Sequence, residues 1–419
     1  MDRALLAAAH QRLRHAEMEE ASRLCRALLA DDPHAASSYT NLGLALKQTG
    51  RGQAAVGAYH RALVLAPDHA QIHNNLGSAL HQAGETETAA QCYRRALILG
   101  PDVPGIYHNL GSLLRDQGRL DDGAASFQRA LQLDPGHPDL HGGLAVLQQY
   151  RNQVCRAIPS YRTSVVLQPG RADFYSNLGN GLRQDGQLEP AEAAYRQALI
   201  LAPGQSDARF NLSLLLLLTG RLGEGWPGYE HRWETQQLSK ERRSFAAPLW
   251  QGERGAGKTL LLHGEQGFGD TLQFCRYAAL AQAMGPRIVL EVQPPLHRLL
   301  LRLAGCDLVV ARGDPLPDVD FQCPLLSLPL MLGTNDLADI PAAIPYVRPD
   351  PGAAALWAGR ITDAGEGRRV GVAWAGAPRR DSPVQAAFDR RRSLPLSALA
   401  PIFAVPGLRF FSLQKGVVA

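Results

Sequence analysis

The stretch YSNLGNGLRQDGQLEPAEAAYRQALILAP, Tyr175–Pro203, decides how more than half of the chain is read, because its pattern returns every 34 residues. Asn-Leu-Gly stands at Asn41, Asn75, Asn109 and Asn177, and Asn-Leu-Ser begins at Asn211. The missing member falls in register at Gly143-Leu144-Ala145. Proline keeps the same step at Pro33, Pro67, Pro101, Pro135, Pro169 and Pro203. So does an aromatic, at Tyr59, Tyr93, Phe127, Tyr161, Tyr195 and Tyr229, and a small residue, at Ala55, Ala89, Gly123, Ala157, Ala191 and Gly225. Repeats of this length are single supersecondary units that bury a core only by stacking. The registers suit paired helices. Small residues allow close helix approach, the aromatic fills the space between units, and proline closes each second helix.

These units resemble the tetratricopeptide repeat, with copies at Ala36–His69, Ala70–Val103, Pro104–His137, Pro138–Arg171, Ala172–Gln205 and Ser206–Ser239. A worn extra copy over residues 2–35 keeps Ala21 and Pro33. The resemblance implies an α-solenoid with a concave groove for a protein or peptide. An amide side chain offers both a donor and an acceptor, which suits an extended peptide backbone. The repeats are also similar to those of O-linked N-acetylglucosaminyltransferases, where an asparagine ladder holds peptide. That resemblance implies a peptide-binding ladder of Asn41, Asn75, Asn109, Asn177 and Asn211, with a gap at Gly143. The other open reading is that each asparagine only bonds a neighbouring helix. His137 and His141 have a spacing that can chelate zinc. Yet His141 fills the slot of Tyr39, Tyr107 and Tyr175, and no third ligand is evident, so no metal site is expected. The Asp121-Asp122 pair opens a second helix, where acids favour the N-terminus.

Composition bounds the rest. At 419 residues, two or three domains are expected, and 45% apolar with 20% charged residues is ordinary for a globular chain. A net charge of +4 gives no argument for nucleic acid. Six scattered cysteines without a CxxC point to reduced thiols. The N-terminus lacks a signal-peptide pattern, and LSLLLLL, Leu212–Leu218, is too short to span a membrane. A soluble cytoplasmic protein is expected.

After RLGEGWPGYEHRW, whose Trp226 and Trp233 are placed to pack the last repeat onto the next domain, the rhythm changes. TLLLH, RIVLEV and DLVVA read as buried strands, separated by helical stretches TLQFCRYAALAQAMG and LHRLLLRLAG. Such alternation predicts a parallel sheet covered by helices. GERGAGKT, Gly252–Thr259, matches the pattern of a phosphate-binding loop letter for letter. That loop works only between a strand and a helix. No strand is expected before Gly252 and no helix after Thr259, so it reads as a polar linker. GEQGFGD, Gly264–Asp270, does sit between the first strand and its helix, where ligands bind in open parallel sheets. Its glycines allow close backbone approach, and Asp270 is either a helix cap or a catalytic group.

HGEQGFGDTLQFCRYA, VLEVQPPLHRLL, DPLPDVDFQCPLLSLP, VGVAWAGAPRR, RRRSLPLSAL and FFSLQKG together resemble the glycosyltransferase region of tetratricopeptide-repeat bacterial proteins. That region is related to the heptosyltransferase family of GT-B type. The resemblance implies Asp270 as the base for the acceptor hydroxyl, Gly267 and Gly269 beside the donor, and Arg391, Arg392 and Ser393 on its phosphates. It implies a nucleotide-sugar donor, with no metal and no other cofactor. The expected architecture is an α-solenoid over 1–239, a linker over 240–258, a first Rossmann-like domain over 259–365 and an incomplete second one over 366–419. Two strands, RVGVAWA and LRFFSL, cannot enclose a core of their own. The family's later donor segment is not present, so this chain is expected to be inactive by itself, either a fragment or a non-catalytic repeat adaptor.

Overall fold

A computed structural model describes residues 3–14, 17–235, 238–265, 267–362, 367–374 and 393–413. Its helices come in consecutive pairs: α1 (Arg3–Arg14) with α2 (Met18–Asp31), α3 (Ala36–Gln48) with α4 (Gly52–Leu65), and α5 (Ala70–Gln82) with α6 (Thr86–Leu99). Then come α7 (Pro104–Asp116) with α8 (Leu120–Leu133), α9 (Pro138–Tyr150) with α10 (Val154–Leu167), α11 (Ala172–Gln184) with α12 (Leu188–Leu201), and α13 (Ser206–Leu218) with α14 (Leu222–Tyr229). Two compact units are distinguished. One takes in the described residues of Met1–Gly170 and Ala373–Leu399, the other those of Arg171–Val372 and Ala400–Leu413. The division falls inside the run of repeats.

The side-chain registers explain the pairs. The aromatics of α4, α6, α8 and α12 are buried and lie on the motif glycines of their own first helices. A Cβ on Gly43 would come within 2.6 Å of the Tyr59 ring, and one on Gly179 within 2.6 Å of Tyr195. Phe127 does more. Its ring lies against Gly111, and a Cβ at Gly143 of the next repeat would meet it at 2.3 Å. The missing asparagine at 143 therefore has a steric cause in the first unit. Gly123 of α8 likewise approaches the carbonyl of Gly111, where an added Cβ would lie at 3.1 Å.

A further register turns the chain between the two helices of each pair. Gly50, Gly84, Gly118, Gly186 and Gly220 all have positive φ, and Asn152, at φ 61, fills the same slot in the fourth complete repeat. The bonds form the glycine-dependent Schellman cap: Arg51 N–H donates to Leu46 C=O at 2.9 Å and Gly50 N–H to Lys47 C=O at 3.2 Å. One substitution should therefore have opposite signs within a single repeat. Gly50→Ala, at φ +75, is expected to cost about 1 kcal/mol. Gly57→Ala, exposed in the middle of α4 with nothing near its Cβ, is expected to gain roughly 0.5–1 kcal/mol. Urea melts of the two variants check both signs, and a common sign would refute the cap.

After the repeats come β1 (Thr259–His263), β2 (Arg287–Val292), β3 (Leu308–Ala311) and β4 (Phe321–Pro324), all parallel in the order β3-β2-β1-β4. The first three strands are TLLLH, RIVLEV and LVVA, and their interior positions are buried. The stretch read as one helix after β1 is broken into α15 (Phe268–Phe274), a 3-10 turn and α16 (Ala278–Ala283). Part of 240–258 is not a loose linker. Trp250 is fully buried, its N–H donates to Gln322 C=O at 2.9 Å, and Gln322 N–H donates to Pro248 C=O at 3.0 Å, so this stretch covers the open edge of β4. Two further parallel strands, β5 (Arg368–Val372) and β6 (Leu408–Ser412), form a separate pair.

The last repeat shares a core with the four-stranded sheet. Leu222, Trp226 and Tyr229 of α14 cluster with Trp250, Leu260, Leu262, Ile288 and Leu290. Trp226 meets Phe274 edge to face at 6.0 Å. Beside them Arg232 is completely buried. It grips Glu265 with Nε and Nη2 at 3.0 and 2.8 Å, Glu230 with Nη1 at 2.7 Å and Ser327 with Nη2 at 2.7 Å. Its guanidinium also stacks on Tyr229 and Trp233. Every face of the buried charge is occupied.

Candidate functional site

The asparagines of the repeated motif lie on first helices α3, α5, α7, α11 and α13, each half-exposed, while the glycine two positions on packs under an aromatic ring or is replaced by Ser213. Two of these amides have partners inside the repeats. Asn109 Nδ2 donates to Asn74 Oδ1 on the preceding first helix at 2.9 Å. Asn75 Oδ1 accepts from Gln71 Nε2 within its own helix at 2.9 Å, so its amide is held in one orientation. Asn41, Asn177 and Asn211 occupy the same slot in their repeats.

The histidine pair has a structural role. His141 Nε2 lies 2.8 Å from the Pro135 carbonyl, as His73 Nε2 does from the Pro67 carbonyl, and Arg209 serves the Pro203 carbonyl in the same slot. His137 is the N-cap residue of α9. No group of three or more metal-ligating side chains occurs among the described residues. Asp121 and Asp122 stand in the first turn of α8 and pair with Arg151 and Arg119.

GERGAGKT does not have the geometry of a phosphate-binding loop. Thr259 is the first residue of β1, not of a helix, and Lys258 Nζ is bound to Asp320 at 2.8 Å. Among the described residues no strand leads into the loop, only a single bridge at Leu249.

The GEQGFGD loop comes directly after β1. Gly267 is the N-cap position of α15, and Asp270, in the first turn, accepts from the Gly267 N–H at 3.1 Å through Oδ2. Asp270 thus stands three residues inside the cap position. Gly267 and Gly269 are exposed, and a Cβ on Gly269 would meet nothing. The crowded glycine is Gly264, whose Cβ would lie 3.0 Å from Thr271 Oγ1. Of the three residues expected on donor phosphates, Arg391 and Arg392 lie outside the described residues, and Ser393 is half-buried.

Beside this loop opens a cleft of about 870 Å³. In the sheet order, β2 and β3 lie to one side of β1 and β4 to the other, so the chain reverses its direction of build between β1 and β4. Crevices at the carboxyl ends of strands at such a reversal are where open parallel sheets bind ligands. The cleft is lined there by His263 and Gly264 at the end of β1, Gln322 and Pro324 of β4, and Arg312 just after β3. The 239–249 stretch supplies the other wall with Arg243 and Phe245. Arg243 pairs with the buried Glu291, and Arg312 donates to the Gly264 carbonyl. His263 bonds Gln322 Oε1 at 2.9 Å, and burial, with the Arg243 and Arg312 guanidiniums nearby, pulls its pKa down to about 4. Sequence reading passed over this cleft because its residues come from four separate segments. The histidine ending a run of leucines was its one visible sign.

A run of helix-pair repeats joined to a small parallel sheet covered by helices defines the class. Residues 40–104, 143–206 and 176–225 match one family model, and 104–137 a second, both described as tetratricopeptide repeat. These stretches of the chain carry tetratricopeptide repeats. Among curated relatives, Protein FlbA of Caulobacter vibrioides is 25% identical over 224 residues, covering 49% of this chain and 36% of FlbA. The chain thus spans about a third of that relative's length. Among solved structures, pilF of Pseudomonas aeruginosa is 20% identical over 49% of this chain and 94% of its own, with a TM-score of 0.43. YrrB, described as a repeat protein with an unusual peptide-binding site, is 18% identical over 44% of this chain and 95% of its own, with a TM-score of 0.35. No described helix is long and apolar enough to cross a membrane.

Proposed function

We propose that the repeats hold a peptide or protein segment and that the α/β region is the acceptor-side, Rossmann-like part of a GT-B glycosyltransferase using a nucleotide-sugar donor. The observation that carries the second half is the cleft at the β1/β4 reversal, next to the loop that bears Asp270. In this reading the Asp270 carboxylate takes the proton of an acceptor hydroxyl. The hydroxyl oxygen then bonds the anomeric carbon, and the bond from that carbon to the diphosphate breaks with its electron pair leaving on the nucleoside diphosphate. Configuration inverts, and no metal is required of this chain. Ser393, with Arg391 and Arg392, is assigned to the donor phosphates. The adaptor reading has its own support in the bond between Asp270 and the Gly267 N–H, the arrangement of a helix cap.

The ladder is tested on protein made from the complete reading frame, with sugar transfer measured to both a protein and a small acceptor. Replacing Asn177 and Asn211 by Ala is expected to raise KM for the protein acceptor roughly 30-fold, at about 1 kcal/mol per lost bond. Transfer to the small acceptor and the melting temperature should hold. Unchanged KM with a lowered melting temperature would make the asparagines structural and leave the repeats without a peptide site.

A further inference from the structure

The cleft holds two groups that neither the repeats nor the Asp270 loop use. His263, only 4% exposed, has Nε2 against the side-chain Oε1 of Gln322, which can only accept. The ring proton therefore sits on Nε2, and Nδ1 is a bare lone pair. That Nδ1 is buried and has no hydrogen-bond partner among the described residues. With its pKa near 4, the imidazole stays neutral at physiological pH and Nδ1 remains an acceptor. Arg312 has the opposite need. One Nη serves the Gly264 carbonyl, while Nε–H is buried without a partner among the described residues.

An open buried donor or acceptor costs about 1–3 kcal/mol. Both groups line the same cleft, and one kind of ligand group answers both, a hydroxyl that donates to Nδ1 and accepts from Nε–H. A phosphate monoester dianion, having only acceptors, would satisfy Arg312 and leave His263 open. The remaining lining is chemically consistent with this. The carboxylates of Glu230, Glu234 and Glu241 accept from hydroxyls, and Trp233 and Phe245, which carry the Arg232 and Arg243 guanidiniums, add aromatic surface. Phe245 already lies 4.6 Å from the His263 ring.

We propose that this cleft is a carbohydrate subsite in which a sugar hydroxyl bridges His263 Nδ1 and Arg312 Nε. It rests on the transferase reading for one point only, that the sugar bound there belongs to the acceptor, which makes that acceptor a glycan. The test is therefore one of binding. Protein labelled with nitrogen-15 at histidine is titrated with the methyl glycosides of glucose, galactose, mannose and N-acetylglucosamine, and separately with methyl phosphate at about pH 8, where it is a dianion. At least one glycoside should move the His263 Nδ1 resonance saturably while Nε2 holds. Arg312→Lys, which keeps the charge, and His263→Phe, which keeps the ring, should each weaken that glycoside about tenfold or more. The Nδ1 readout on the native chain stands even if His263→Phe does not fold. A still Nδ1 with every glycoside at tens of millimolar, or a shift with methyl phosphate alone, overturns the subsite. Glycoside binding without sugar transfer by the complete frame would defeat the transferase reading and leave the subsite standing. Transfer to a glycan with no binding here would do the reverse.

Discussion

Arg232→Met is expected to cost the second unit about 3–5 kcal/mol, the scale of breaking a buried ion pair from one side. The methionine fills much of the volume, so the loss comes from what remains. Glu265, whose side chain is 2% exposed, keeps its charge in a dry site with its two strongest bonds gone. Burial already pushes the Glu265 carboxyl above its usual range, and the substitution pushes it further. A carboxyl whose folded pKa exceeds its unfolded value loses stability as pH rises above the unfolded value. The variant's deficit should therefore be full at neutral pH and shrink as pH falls into the carboxylate range. Adding Glu265→Gln should recover part of it at neutral pH. Urea unfolding monitored by tryptophan fluorescence reports on this core through Trp226 and Trp250. A loss below about 1 kcal/mol, the range of surface pairs, would mean that water reaches the network.

Asp270→Asn, made in protein from the complete reading frame, is expected to lower turnover by about 10²-fold or more, the usual contribution of a general base. Asparagine keeps an oxygen for the Gly267 N–H, so the cap at the start of α15 and donor binding should hold. Steady-state transfer with the donor affinity measured separately divides the outcomes. Full activity would leave Asp270 as a cap and favour the adaptor reading. A parallel fall in donor affinity and stability would assign the effect to the loop.

The repeats were legible because their constraints are periodic and local. An aromatic lying on a glycine needs both residues, and the pair returns in four copies, with the small residues Ala145 and Ser213 in the glycine slot of two others. The positive-φ glycines from Gly50 to Gly220 were equally periodic, and their signal was there to be read. The strands TLLLH and RIVLEV showed as apolar runs because both faces of a parallel sheet are buried. β4 did not show, since FQCP is only four residues long and carries Gln322 and Pro324. The break between α15 and α16 was equally hidden, because TLQFCRYAALAQAMG has helical spacing throughout and only tertiary packing interrupts it. Arg232 lies in EHRWE, a stretch as polar as any surface loop. Its burial depends on Glu265 and Ser327, 33 and 95 residues away, and no local pattern carries such a fact. The cleft is illegible for the same reason.

Phe127 and Gly143 belong to different repeats yet share one volume, and this changes what a family of such chains could inherit. Restoring the asparagine at 143 by analogy with its siblings, as consensus engineering would, drives a Cβ into an aromatic ring that has Gly111 behind it. The two positions can only drift together. In descendants where 143 regains a side chain, 127 should have become smaller or moved, so the exchange would leave a correlated pair of changes across a repeat boundary.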